Sequence, residues 1–283
     1  MKVLQNIYVI LDKMLPFSWM QYTFMKNAFL AVILATPLFG LLGTMVVNNK
    51  MAFFSDSIGH SALTGIAVGI IAGIKQPLWS MIIFSVILSI AITFVKKSNI
   101  SSPDTIIGVF SSASVALGVV VLSMGRWGGF NKYTSFLIGD LLGISEMEII
   151  MLFATMAIAI LLWFAIYNSL LVTSINTSLA ASRGIKTFRA EMAFTLLIAV
   201  VVTVSIRWVG ILLINSLLIL PAASARNIAR NTRQHAAYSI VIAFVSGIVG
   251  LFCSYYVGSA AGATIVLFSA IFFCISFIIG RIR

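Results

Sequence analysis

The sequence predicts an all-α protein that crosses a membrane several times, and three observations predict it. Of 283 residues, 61% are hydrophobic and 9% charged, with a mean hydropathy of +1.12, against about 25% charged residues in soluble domains. The apolar residues run for about 20 positions at a time, the length of a helical crossing, rather than alternating over about ten as barrel strands do. The 18 Lys and Arg that give the formal charge of +11 are spread thinly between those runs. A water-soluble globular domain is excluded, and so is a basic nucleic-acid-binding face interleaved with aromatics.

Taken in order, the first 26 residues read as an interfacial segment. Their apolar run from Val3 to Leu11 is broken by Gln5 and Asn6, is followed by Asp12, Lys13 and Pro16, and lacks a small-residue cleavage site. Nine stretches then read as crossings: 27–47, 56–74, 78–95, 106–124, 147–167, 191–206, 210–225, 236–257 and 262–280. The expected count is eight if one of them is re-entrant. Asp104, beside Ser101, Ser102 and Pro103, reads as the N-cap of the fourth. Loop 125–146 carries a semi-polar run from Tyr133 to Ser145 that can dip into the membrane, and Asp140 within it reads equally as a pathway residue or a solvated turn. Glu146, Glu148 and Glu191 sit at starts of spans, where acids complement the helix dipole.

Loop 168–190 is expected on the cytoplasmic side and contains a short helix over 177–183. Asn176 and Thr177 are its cap candidates and Gly184, after Arg183, its stop. Residues 191–225 are too long for one span and are interrupted by Arg207, Gly210 and Pro221. A broken helix is tolerated in a bilayer only where protein or a water-filled cavity satisfies its backbone. Asn215 and Ser216 would be costly against lipid, which places 210–225 inside the protein, bordering a pathway near a dimer axis. His235, ending a basic run, reads as solvated. Cys253 and Cys274, each inside an apolar run, read as packing residues. Gly65, Gly69 and Gly73 read as close-packing positions, within one chain rather than between two.

With the N-terminus outside and nine spans, 11 Lys and Arg face the cytoplasm and seven face out, which sets the expected orientation and leaves the C-terminus inside. The chain is one transmembrane domain, 1–283, without a soluble domain or a GxxxxGK phosphate loop, so it does not hydrolyse ATP itself. It is expected not to be an enzyme, and no covalently bound cofactor is expected.

Acids are scarce, seven in all, so one in an apolar setting carries information. Asp56 and His60 are four apart, which stacks them on one helix face. A carboxylate and an imidazole suit borderline divalent ions such as Zn²⁺ or Mn²⁺. The competing reading makes Asp56 an N-cap and lets His60 bond a neighbouring carbonyl. Two ligands are too few for a closed zinc site, but a two-fold axis through this helix would supply two Asp and two His.

Several segments, in order and over most of the chain, resemble the permease subunits of bacterial ABC transporters that import zinc, manganese or iron(II), the metal ABC-3 permeases. They are Asp56-Ser-Ile-Gly-His60 followed by Ser-Ala-Leu-Thr-Gly, Asp104-Thr-Ile-Ile-Gly108, Phe136-Leu-Ile-Gly-Asp140-Leu-Leu-Gly-Ile-Ser145, the run Val209 to Ala225, and Gly262-Ala-Thr-Ile-Val266. The resemblance implies a scaffold related to cobalamin and siderophore importer permeases, in the cytoplasmic (inner) membrane of a bacterium. It implies a homodimer, two cytoplasmic ATPase subunits that bind the ATP, and an external metal-binding protein. Asp56 and His60 fall on the family's Asp-x-x-x-His positions in the ion pathway. Asn176, Thr177, Leu179, Ala180, Ser182, Arg183 and Gly184 fall on its ATPase-coupling helix, although Asn176, Thr177 and Ser178 stand where relatives often carry acids. The rival readings are a permease for a metal chelate, which needs no Asp/His pair, and a secondary cation transporter, which would work without an ATPase. An intramembrane hydrolase lacks a Ser/His/Asp or Cys/His arrangement on one face.

Overall fold

A computed structural model describes residues 7–9, 11, 13, 18–74, 76–98, 101–124, 137 and 139–282. Among these, a 3₁₀ turn, Ser18–Gln21, leads into ten helices: α1 (Thr23–Asn48), α2 (Phe54–Ile71), α3 (Pro77–Lys96), α4 (Pro103–Met124), α5 (Glu146–Ile175), α6 (Thr177–Ser182), α7 (Thr187–Val209), α8 (Ile211–Ile228), α9 (Thr232–Val257) and α10 (Ala261–Ile282). All nine stretches expected to cross are helical, but the count of eight to nine is corrected. Among the described residues, seven helices are long and apolar enough to span a membrane. The other two, α2 and α8, are 18 residues each. The polar residues Asp56, His60 and Asn215 that single them out also lower their apolarity. The chain is a multi-pass membrane protein.

The helix ends obey local chemistry. Pro77 sits at the first position of α3, where its missing N–H is no loss. Ser145 and Glu148 form a reciprocal capping box on α5. On α9, the Asn231 side chain accepts from the Gln234 N–H at 2.8 Å. The cap of α4 is Ser102, whose Oγ accepts from the Thr105 N–H at 3.2 Å, so Asp104 lies inside the first turn rather than at the cap. Leu170 and Thr173 keep a buried face going, and α5 therefore continues to Ile175. The loop expected over 168–190 shrinks to the segment around α6. Helix α7 likewise starts at Thr187, four residues before Glu191, which leaves that acid in the second turn and paired with Lys96 of α3.

Two rings result. Within the spanning windows of α1 and α7, 67% of residues are buried, against 22% for α4, α5 and α10. Helix α8 packs on α1, α2, α9 and α10 and so belongs to the inner set with α2. Close approach is what small residues provide there: a Cβ on Gly43 of α1 would come within 1.9 Å of the Leu218 carbonyl oxygen of α8. Gly65 and Gly69 pack on α3 within the chain as expected, but Gly73 ends the turn after α2 with φ +71° and packs on nothing.

The interruption of 191–225 falls at Gly210 alone (φ 93°), between α7 and α8. Pro221 lies within α8 without ending it. His235 is corrected from solvated to buried, at 6% exposure, with Nε2 donating to the Ala222 carbonyl at 3.0 Å. It sits one turn into α9, on the side that packs against α8. Of the two cysteines, both free, Cys253 is half-buried but Cys274 is exposed on the outer ring. The expected interfacial segment and the loop 125–146 lie largely outside the described residues. From the former, the Tyr8 hydroxyl donates to Asn27 of α1. Burial, and then the charge of Glu146, hold that phenol above its ordinary pKa.

Candidate functional site

Twelve of the 18 residues of α2 are buried. Each packed side has an identifiable contact. Thr64 donates to the Ser114 carbonyl of α4 at 2.6 Å, Gly65 and Gly69 abut Ser80 of α3, and Gly59 meets Ile211 and Ile214 of α8. Ser55 also hydrogen-bonds the Asn215 side-chain oxygen of α8. Near its N-terminal end one stripe stays open, Phe53, Asp56 and His60, at helical spacing, while Val68 and Ile71 are exposed at the other end. Phe53 is 58% exposed, and the Asp56 and His60 side chains are 37% and 31% exposed.

The N-cap of α2 is Phe53, and no side-chain cap bond is made there. Asp56 is therefore not the cap that the competing reading required, although an acid in the first turn suits the helix dipole. Its Oδ1 lies 3.7 Å from Nε2 of His60, too far for a hydrogen bond. An oxygen and a nitrogen at that separation can both reach one divalent ion at about 2.0–2.2 Å. Among the described residues no three His, Cys, Asp or Glu side chains cluster, so one chain offers this pair and a second copy would have to complete the shell.

The other pathway candidates separate. Asn215 and Ser216 are half-buried, and Asn215 is tied to α2 next to Asp56 through Ser55. Asp140 is exposed, closes a turn by accepting from the Gly143 N–H at 2.9 Å, and donates its own N–H to the Arg207 carbonyl at 3.2 Å. It is a turn residue that serves the break between α7 and α8. Gly139 makes the approach possible, since with φ +78° a Cβ there would lie 2.3 Å from the Val209 carbonyl carbon.

The connector helix α6 is built as its residues dictate. Asn176 accepts from the Leu179 N–H at 3.0 Å, and beyond Arg183 Gly184 turns with φ +74°. Thr177, Leu179, Ser182 and Arg183 are exposed. Ala180, by contrast, is fully buried against its own chain.

Two ion pairs were not read from the sequence. Lys96 of α3 pairs with Glu191 of α7, and Arg207 at the other end of α7 pairs with Glu148 of α5 at 2.8 Å. A signal existed for the first: Lys96 and Glu191 both lie at span ends expected on the same membrane side.

Similarity to known proteins points the same way. The chain is 34% identical over 235 residues to the high-affinity zinc uptake system membrane protein ZnuB of Haemophilus influenzae, covering 83% of this chain and 89% of that protein. It is 30% identical over 259 residues to the manganese import system permease protein ScaB of Streptococcus parasanguinis, covering 92% and 91%. The solved structure of PsaBC from Streptococcus pneumoniae in complex with Fab superposes with a TM-score of 0.78 at 27% identity, covering 96% of this chain and 95% of that one. The model of the ABC 3 transport family matches residues 21–280, and the chain belongs to that family.

Proposed function

We propose that this chain is the membrane subunit of an ATP-driven importer of divalent zinc or manganese ions. It works as a homodimer in a bacterial cytoplasmic membrane, with its N-terminus outside. Two cytoplasmic ATPases bind the ATP, and an external binding protein delivers the ion. The observation that carries the reading is the Asp56–His60 pair, which stays partly exposed on a helix with twelve of its 18 residues buried. Relatives named for zinc uptake and for manganese import support the cargo class, and an oxygen–nitrogen donor pair accepts either ion.

In this mechanism two α2 helices meet across the axis, and two Asp56–His60 pairs hold the ion with a pair of carboxylates that offsets its lost hydration. The His60 imidazole and the Asp56 carboxylate would supply the nitrogen and oxygen donors. The partial exposure of both residues suits a site that must release what it binds. The exposed face of α6 meets the ATPase, and rigid-body motion of the helices carries the nucleotide signal to the pathway. Asn215, held to Ser55, lets α8 report on the position of α2.

The test is uptake of radioactive zinc and manganese, with the cognate ATPase and binding protein, in cells lacking their own importers. Asp56→Asn and His60→Ala are each expected to abolish uptake while membrane insertion and dimerisation persist. Wild-type uptake by both variants would remove the pair from the pathway.

A further inference from the structure

At the α6 end of the bundle lies a polar cavity of about 400 Å³, separate from the Asp56–His60 face. Lys50, Lys96 and Lys97 line it against a single acid, Glu191, which is already paired with Lys96. Lys97 is held over the Phe188 ring with its Nζ 5.1 Å from the centroid. Ser174, Thr177 and Thr187 add hydroxyls to the wall. Two long helices, α4 and α7, begin at this wall, at Pro103 and Thr187, and their N–H ends favour negative charge.

The lining is flanked by bare apolar surface. Phe94 and Val95, immediately before Lys96, are 66% and 40% exposed, and Ile175, between Ser174 and Thr177, is 76% exposed. A basic, hydroxyl-rich hollow beside exposed hydrocarbon matches an amphipathic anion. We infer that this cavity holds the phosphate headgroup of an anionic phospholipid, whose acyl chains lie along the neighbouring apolar surface. Basic pockets between spanning helices bind such headgroups by this chemistry. The site adjoins α6, so a bound lipid would brace the wall from which that helix projects. The inference is independent of which ion the protein carries.

The test uses purified, delipidated permease in neutral detergent and thermal unfolding as the readout. The probes are phosphatidylglycerol, phosphatidylcholine and inorganic phosphate. The variant is Lys50→Asn with Lys97→Gln. Lys50 has φ 54°, a backbone that asparagine tolerates, and Lys96 is left alone because removing it would strand Glu191. Phosphatidylglycerol is expected to raise the unfolding temperature of the wild type and phosphatidylcholine to leave it unchanged. The double variant should bind phosphatidylglycerol roughly 30-fold more weakly, from about fivefold per lysine. An equal response of variant and wild type would overturn the site. A shift produced by inorganic phosphate, with none added by lipid, would overturn the lipid source. A variant that fails to fold is replaced by Lys97→Gln alone, for which about fivefold is expected.

Discussion

Helices α2 and α7 both carry charge among apolar neighbours, and they use it in opposite ways. On α7, Glu191 pairs with Lys96 of α3 and Arg207 pairs with Glu148 of α5, so each of these two charges ties this helix to a different neighbour. On α2, Asp56 faces His60 of the same helix at 3.7 Å, and both open onto an uncovered stripe. A charge paired across helices fixes packing, whereas a pair kept on one helix and left open is free to take a ligand.

The comparison breaks most visibly at α2. Asp56→Asn is expected to lower metal uptake by more than about a hundredfold, because in the proposed two-fold site the change alters two donors at once. Its effect on stability should stay within about 0.5 kcal/mol, the scale of an exposed i,i+4 pair. Thermal unfolding alongside uptake checks both. A large drop in unfolding temperature would make the pair structural, like those of α7.

Helix α6 extends the same contrast between open and buried positions. Leu179→Asp, on a side chain 44% exposed, should leave the permease folded but cut co-purification with the ATPase by about tenfold or more. Ala180→Asp, at a position with no exposure, should instead destabilise the permease itself by burying an unpaired carboxylate. If both variants fold normally and retain the ATPase, the coupling surface lies elsewhere.

At the N-terminal end of α7, Lys96→Met should destabilise by about 2 kcal/mol. The pair is mostly buried, with 17% and 26% of its side chains exposed, and the change leaves Glu191 unpartnered. Adding Glu191→Gln should recover much of the loss, a coupling that a double-mutant cycle measures. Uptake by the folded double variant should stay near wild type.

Legibility from sequence followed the range of the interaction. The nine helical stretches, the cap at Asn176, the stop at Gly184 and the open Asp56–His60 pair rest on spacing along one segment, so residues a few positions apart announce them. Lys96 with Glu191, His235 with Ala222 and Ser55 with Asn215 join residues that meet only after the helices pack. His235 misled because a basic run suggests solvent, whereas one turn of helix was enough to turn its ring toward α8. The burial of Ala180 was not legible for a related reason: a six-residue helix still has an inner face. The break at 207–210 was legible, but not the partner that satisfies it, since Asp140 lies far away in sequence and reaches Arg207 only in the folded chain.

The smallest effect should come at the C-terminal end of α7, although an ion pair sits there as at the N-terminal end. Arg207 is 65% exposed while Glu148 is 17% exposed, so water already serves the guanidinium and little Coulomb energy is gained. Glu148 also has a second task, since its other oxygen accepts from the Ser145 N–H at 2.8 Å. Arg207→Gln should therefore cost no more than about 1 kcal/mol, leaving the capping box and the Asp140 bond to the Arg207 backbone carbonyl intact. Glu148→Gln should cost slightly more, because it weakens a charge-assisted cap as well as the pair. Unfolding of the two single variants and the double variant measures the coupling between them. A coupling above about 2 kcal/mol would mean that Arg207–Glu148 fixes α7 as firmly as Lys96–Glu191 does, and that exposure does not grade the two ends.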